Sequence, residues 1–240
     1  MNTIIEVVNL TKIFKMHVLG GKEIIAFKDV TFSLTKGTFL GISGKSGYGK
    51  SSLIKCIYRN YKPTSGDVFL YNRDEKINIT MIDDHEMLKI RKEKMGYVSQ
   101  FFQTIPRVPT MDIIIEPLVD KGWEKEKAID RAKELFIHFE IPRNLWDAFP
   151  STFSGGEKQR INLMRTFIDC PEIILLDEPT ASLDQKNRDK IMEIIVEMKN
   201  QGVSMMGIFH DKKELESLSD DILYMDRLMD VIENNTIQIV

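Results

Sequence analysis

The sequence predicts an α/β fold built on a mainly parallel sheet, with a helical insertion in the middle of the chain. That expectation rests on the alternation of helix-like and strand-like segments from Gly155 onwards, and on the run Ile173–Leu176, which is apolar at every position. It rests also on a glycine-rich loop, Gly44–Gly49, set between a strand-like and a helical segment. Alternation of this kind needs crossover connections, hence parallel strands, and a strand buried on both faces reads as an uninterrupted apolar run.

Taken in order, Ile4–Leu10, Ile24–Phe27, Val30–Leu34 and Phe39–Ile42 are short apolar, β-branched runs that read as strands separated by charged turns. Lys50–Tyr58 carries Leu53, Ile54, Ile57 and Tyr58 at helical spacing, and Gly96–Ser99 is again strand-like. Met111–Val119 and Lys125–Phe139 read as helices, the second with Ile129, Ala132, Leu135, Phe136 and Phe139 on one face. Gly155–Ile168, Ile173–Leu176, Gln185–Asn200 and Met205–Phe209 then alternate helix, strand, helix, strand. No internal repeat, low-complexity tract or flexible linker interrupts the chain, so one continuous domain over 1–240 is expected.

Composition narrows the function classes. The chain has 240 residues, 42% of them hydrophobic, enough for a sizeable core. With 33 basic against 36 acidic residues the formal charge is −3, which argues against a generic nucleic-acid binder. Cys56 and Cys170 are too few for a disulfide framework and have no metal-ligand spacing; both read as small core residues in a reducing, cytoplasmic setting. Met1–Leu10 lacks the basic start and apolar stretch of a signal peptide. No uncharged apolar run approaches the roughly 18 residues of a membrane span, so any spans would come from another chain.

Gly44, Lys45, Ser46, Gly47, Tyr48, Gly49, Lys50 and Ser51 fit G-x-x-x-x-G-K-[ST], after a strand and before a helix. Glycines let successive backbone N–H groups converge on an anion, and the helix adds its positive end. Lys50 would neutralise terminal phosphates and the Ser51 hydroxyl would reach Mg²⁺. The competing reading is a glycine-rich turn with an exposed lysine. Asp177, at the end of the strand Ile173–Leu176, suits the outer shell of the metal, and Glu178 is placed to polarise an attacking water as general base. Alone, Asp177–Thr180 would be a turn closing a buried strand. Ser154 and Glu157 form a capping box, S-x-x-E, that needs no function. Gly155 and Gly156 inside that first helical turn are costly, and what they offer is bare N–H for a phosphate. Capping and anion binding are compatible.

Together these motifs resemble the ATP-binding cassette (ABC) ATPases over essentially the whole chain. The resemblance implies the P-loop NTPase version of the α/β fold. Residues 1–100 and 154–240 would supply the parallel core with an antiparallel β subdomain, and 101–153 the helical subdomain. It implies that Phe14 stacks on adenine, that Gly44–Ser51 with Ser52 hold the phosphates, and that Gln100 meets the metal and senses the helical insertion. The metal set is then Ser51, Gln100 and Asp177; the catalytic set is Glu178, His210 and Lys50. Ser154, Gly155, Gly156 and Glu157 match the signature that faces the ATP of a partner cassette, and Ala181, Ser182, Leu183 and Asp184 the loop that crosses to it. The implied ligands are ATP and Mg²⁺, and the implied partner is a second cassette, identical or not, in head-to-tail arrangement. On their own, Phe14 would be a half-buried strand aromatic, Gln100 carries no signal, and His210 would be a hydrogen-bonded histidine at a strand end. His17, His85 and His138 read as surface or structural. Phe153 and Glu157 depart from the usual leucine and glutamine, and Tyr48 replaces a small residue where it would crowd or shield the nucleotide.

Within that family, Gly96–Pro106 (GYVSQFFQTIP) with Arg107, Glu116–Leu118, Asn144–Ser154 (NLWDAFPSTFS) and Gly207–Asp211 (GIFHD) resemble the PhnL-type branch of the bacterial carbon-phosphorus lyase system. Phe209 stands where exporter cassettes usually carry threonine. The resemblance implies a cytosolic ATPase acting with soluble lyase subunits, in the synthase step that makes ribose 1-methylphosphonate 5-triphosphate. The alternative is the nucleotide-binding subunit of a membrane permease of the lipoprotein-releasing or macrolide-export type. A non-hydrolysing module is disfavoured by Glu178 and His210, and DNA-repair cassettes by their large insertions. Phe101–Leu118 is either a docking surface or an ordinary amphipathic packing face.

Overall fold

A computed structural model describes residues 2–16, 22–72, 75–100, 107–181 and 183–226. In the antiparallel sheet, β1 (Thr3–Met16) lies between β2 (Lys22–Thr35) and β4 (Ser65–Asn72), and β5 (Glu75–Asn78) pairs with β4. The other sheet is parallel, in the order β6 (Met95–Val98), β7 (Ile173–Asp177), β8 (Ser204–Ile208), β3 (Phe39–Ser43), β9 (Asp221–Tyr224). Parallel strands share one carboxyl edge. The loop after β3 and the carboxylates after β7 therefore emerge on the same side of the molecule.

Burial explains why these segments are strands. Every residue of β7 and of β8 is buried, as expected for strands covered on both faces. α1 (Lys50–Ile57) packs where the sheets meet: Leu53, Ile54, Cys56 and Ile57 are buried in one cluster with Ile5, Val7 and Leu10 of β1 and Ile42, Leu175 and Ile208 of the parallel sheet. Fully burying an aliphatic side chain contributes about 1.5–3 kcal/mol, so the helix that begins at Lys50 is firmly seated. A further cluster joins the parallel sheet to α3 (Thr110–Asp120), α4 (Lys125–His138), α5 (Gly155–Phe167) and α6 (Gln185–Asn200). On α4, Ala132, Leu135 and Phe136 are buried as the spacing predicts, Phe139 follows, and Ile129 is half-buried. The Phe136 ring stacks on Trp146 at 4.9 Å.

The structure differs from the sequence reading in places. Ile24–Phe27 and Val30–Leu34 are one strand, β2, and not two. The charged pair between them is absorbed by an irregularity at Asp29, whose φ is 54°. The Asp29 N–H donates to Thr11 Oγ1 at 3.0 Å and the Thr11 hydroxyl donates back to the Asp29 carboxylate at 3.3 Å, so the strand continues through what looked like a turn. Cys170 is exposed in the connection after α5, so the core reading holds only for Cys56, whose thiol burial pushes up to about 12. His85 is exposed and His138 lies 2.9 Å from Glu197; His17 falls outside the described residues. The strands β4, β5 and β9, and the helices α2 (Asp84–Lys94) and α7 (Lys212–Leu218), were not anticipated. α2 buries only Met87, so its sequence carries no apolar stripe. β9 is tied in by Asp220, which accepts the Phe39 N–H at 2.7 Å and Lys199 Nζ at 2.8 Å. No helix among the described residues is long and apolar enough to cross a membrane.

Candidate functional site

The segment Gly44–Gly49 leaves β3 and delivers the chain to α1. Gly49 is obligatory here: it sits at φ 74°, and a Cβ at this position would lie 2.2 Å from the Ala26 carbonyl oxygen. The first turn of α1 has neither a side-chain cap nor an acidic residue, so its positive end remains available to an anion. Lys50 curls back over the loop, and its Nζ donates to the carbonyls of Gly44 at 2.6 Å and Lys45 at 2.9 Å. Burial lowers the Lys50 pKa, while Glu178 and Asp226 pull it back up.

Across the loop, Asp177 is 3% exposed. Ser51 Oγ donates to its Oδ1 at 2.7 Å and the Tyr97 hydroxyl to its Oδ2 at 3.0 Å. Glu178 follows at φ 54°, a left-handed conformation unusual for a non-glycine residue, held by its N–H to the Ile208 carbonyl at 3.0 Å. Gln100 Nε2 donates to Glu178 Oε2 at 3.0 Å. Three cavities converge on Glu178. One of 660 Å³ is lined by Gly44, Lys45, Ser46, Lys50, Gln100 and His210 among others. Another of 310 Å³ holds Gln100, Arg188 and His210, and a third of 300 Å³ holds Phe14, Ser46, Gly47, Gly49, Lys50, Ser51 and Ser52.

The third cavity pairs an apolar end with a polar one. Phe14, edge-on to Tyr61 at 5.4 Å, is flanked by the part-exposed Ile24 and Ile25, and the loop residues lie opposite. Such a surface suits a flat base at one end and phosphates at the other. Tyr48 is not part of that lining; it is half-buried and packs against the core, so it does not crowd this cavity.

The described residues also bear on a divalent cation. They contain no cluster of three or more His, Cys, Asp or Glu side chains able to cage a metal. What they offer is hard oxygen: the Ser51 hydroxyl, the Asp177 carboxylate and, since Gln100 donates through Nε2, its amide oxygen. That donor set fits Mg²⁺, which is held through one or two carboxylates plus substrate phosphates.

Ser154, Gly155, Gly156 and Glu157 line none of these cavities. Ser154 caps α5, with Glu157 Oε2 accepting its N–H at 2.8 Å and its hydroxyl at 2.7 Å. Gly155 opens onto free space, but Gly156 has a packing reason for being glycine: a Cβ there would meet the Asn187 side chain at 2.6 Å. Gln159 and Asn162 of α5 donate to the Ser99 carbonyl at 3.4 and 3.1 Å, which links this helix to the residue before Gln100. Leu183 is nearly buried, and Asp184 caps α6 by accepting the Asn187 N–H, a bond that lowers its pKa; Ser182 lies outside the described residues. The sequence reading missed Tyr97, and it missed Asp226, which accepts the Lys45 N–H at 2.9 Å. Lys45 and Asp226 are 181 positions apart, with no local signal to join them.

This arrangement defines a phosphate-loop site for a nucleoside triphosphate on a parallel α/β core. A family model for ABC transporters matches residues 27–181. The uncharacterized ABC transporter ATP-binding protein MJ0796 of Methanocaldococcus jannaschii is 36% identical over 215 residues, 86% of this chain and 87% of its own length. Methionine import ATP-binding protein MetN 1 of Bacillus cereus is 31% identical over 235 residues, 98% of this chain; the match takes in 65% of that longer protein. The dimeric structure of MJ0796 in a post-hydrolysis state with ADP and Pi is similar with a TM-score of 0.83 at 32% identity, covering 92% of this chain and 94% of that one. The chain belongs to the ABC transporter family and is an ATP-binding cassette ATPase.

Proposed function

We propose that the chain hydrolyses ATP at sites completed by a second cassette in head-to-tail contact, and that it does so as a cytoplasmic component of the carbon-phosphorus lyase machinery. The observation that carries the hydrolytic reading is the cluster Ser51–Asp177–Glu178–Gln100 at the mouth of β3 and β7. In this reading the adenine lies on Phe14, Gly44–Ser52 cradle the phosphates, and Lys50 leaves its loop carbonyls for the β- and γ-phosphates. Ser51, Asp177 and Gln100 would hold Mg²⁺, which would neutralise charge developing on the transferred phosphoryl group. Gln100 keeps the Glu178 carboxylate aimed into the cavity; Glu178 takes a proton from a water whose oxygen bonds to the γ-phosphorus as the bond to the β-bridging oxygen breaks. ADP and phosphate result. His210, exposed at the end of β8, is placed to donate to the γ-phosphate oxygens. Ser154–Glu157 lie away from the chain's own loop cavities, which fits a role toward the partner's nucleotide, and MJ0796 is itself dimeric with ADP and Pi.

The phosphonate assignment rests on the segments GYVSQFFQTIP, NLWDAFPSTFS and GIFHD. Of these, Phe209 is buried against Phe39, with ring centroids 6.2 Å apart. A second reading, the ATP-binding subunit of a membrane permease, is supported by MetN 1, which is named for methionine import. The test is co-expression of the chain with soluble carbon-phosphorus lyase subunits and, separately, with a permease in detergent. A complex of fixed stoichiometry with the lyase subunits, and ATP turnover altered by them, is the expected result. Assembly with the permease alone would overturn the phosphonate assignment and leave the ATPase intact.

A further inference from the structure

Tyr97 is no part of the phosphate-loop, strand-end or signature motifs, yet its hydroxyl donates to the most buried carboxylate of the site. In the β6–β7 ladder Tyr97 pairs with Leu175, and Asp177 lies two residues further along β7, on the same face. The phenol donates to Asp177 Oδ2 at 3.0 Å while Ser51 donates to Oδ1 at 2.7 Å, so each oxygen of this carboxylate has its own donor. The Tyr97 ring is itself fixed: it stacks on Tyr58 with centroids 4.9 Å apart and planes at 23°, and the Arg91 guanidinium lies 4.5 Å from the Tyr58 ring.

We propose that Tyr97 is a positioning residue for the divalent-cation site, fixing the Asp177 carboxylate through Oδ2 so that Oδ1 stays directed at Ser51 and the metal beside it. The proposal rests on assigning Ser51 and Asp177 to that metal. A carboxylate with one anchored oxygen has less freedom to lose when the cation arrives, and outer partners of metal-binding groups typically change metal affinity by about 10–100-fold. If Tyr97 were merely core, its ring would matter and its hydroxyl would not.

Tyr97→Phe separates the two, because it keeps the ring, its volume and its stack. In the full-length chain, Mg²⁺ is titrated against ATP turnover at saturating ATP and against the affinity for a fluorescent ADP analogue. The half-saturating Mg²⁺ should rise about 10-fold in both titrations, while analogue affinity in EDTA and the thermal midpoint stay close to wild type and excess Mg²⁺ restores kcat. Tyr97→Leu should show the same Mg²⁺ shift together with a loss of stability. A folded Tyr97→Phe with wild-type Mg²⁺ dependence overturns the proposal, as does a shift seen only in Tyr97→Leu. Asp177→Ala, run alongside, distinguishes the failures: if it alone loses Mg²⁺ dependence, only the role of Tyr97 falls, and if it too behaves as wild type, the metal assignment falls.

Discussion

Replacing Gly156 with alanine should leave the fold standing and weaken the contact between cassettes. The new Cβ would lie 2.6 Å from Asn187 Cγ and 2.7 Å from Nδ2, distances that no packed structure tolerates, so the Asn187 side chain must swing away. It then gives up its bonds to Asp184 Oδ1 at 3.0 Å and Oδ2 at 2.9 Å, while the backbone N–H of Asn187 still caps at 2.9 Å. Such a contact is exposed and therefore weak, and alanine in place of glycine offsets its loss by favouring the helix. The net change is near zero, and the thermal midpoint should move by no more than about 4 °C for a chain of this size. Asp184, in the loop proposed to cross to the partner, keeps the backbone N–H of Asn187 and loses the amide bonds that also restrain it. ATP-driven dimerisation, followed by analytical ultracentrifugation in a Glu178→Gln background, should weaken by about tenfold, or 1.4 kcal/mol. In an Asn187→Ala background the colliding atoms are gone, and Gly156→Ala should cost nothing more. If the loss persisted there in full, Asn187 would not be the reason for glycine at 156, and close approach by the partner's phosphate would be.

Lys50→Ala removes a half-buried cation beside the phosphates; such a charge is worth about 4 kcal/mol at 4 Å and an effective dielectric of 20, so after discounting for solvent ATP should bind at least about 100-fold more weakly by equilibrium titration. Phe14→Ala should lose about tenfold in ATP affinity, as expected for one base–aromatic stack, while competition by inorganic tripolyphosphate stays unchanged. Away from the site, burial would raise the Asp220 carboxyl, but bonds from Lys199 and the Phe39 N–H more than offset it and hold it below its ordinary 3.8. A depressed carboxyl stabilises the fold above its unfolded pKa and loses that contribution as pH falls through the folded value. Asp220→Asn should therefore be about 1 kcal/mol less stable than wild type in urea at neutral pH, with the gap closing below about pH 4.

Much of the site was legible because its motifs are contiguous. The loop Gly44–Ser51 declares itself by glycine spacing, and Ile173–Leu176 followed by Asp177 and Glu178 declares a buried strand ending in carboxylates. Contacts that depend on strand neighbours were not legible. Tyr97 reaches Asp177 only because β6 pairs with β7, and Asp226 reaches Lys45 only because β9 pairs with β3. Gly156 looked like an opening for phosphate because nothing local reveals that Asn187 packs over it. Asp29 suggested a turn because the Thr11 hydroxyl that lets β2 run through it lies 18 residues away. The polar surface of α2 hid a helix that buries only Met87.

The most direct test of hydrolysis by Glu178 at a shared interface is the Glu178→Gln variant with Mg²⁺ and ATP, followed at once by light scattering and by phosphate release. It should bind ATP, accumulate as a dimer and turn over at least about 100-fold more slowly than wild type. Undiminished phosphate release would contradict the role of Glu178, and a chain that stays monomeric with ATP bound would contradict the shared site.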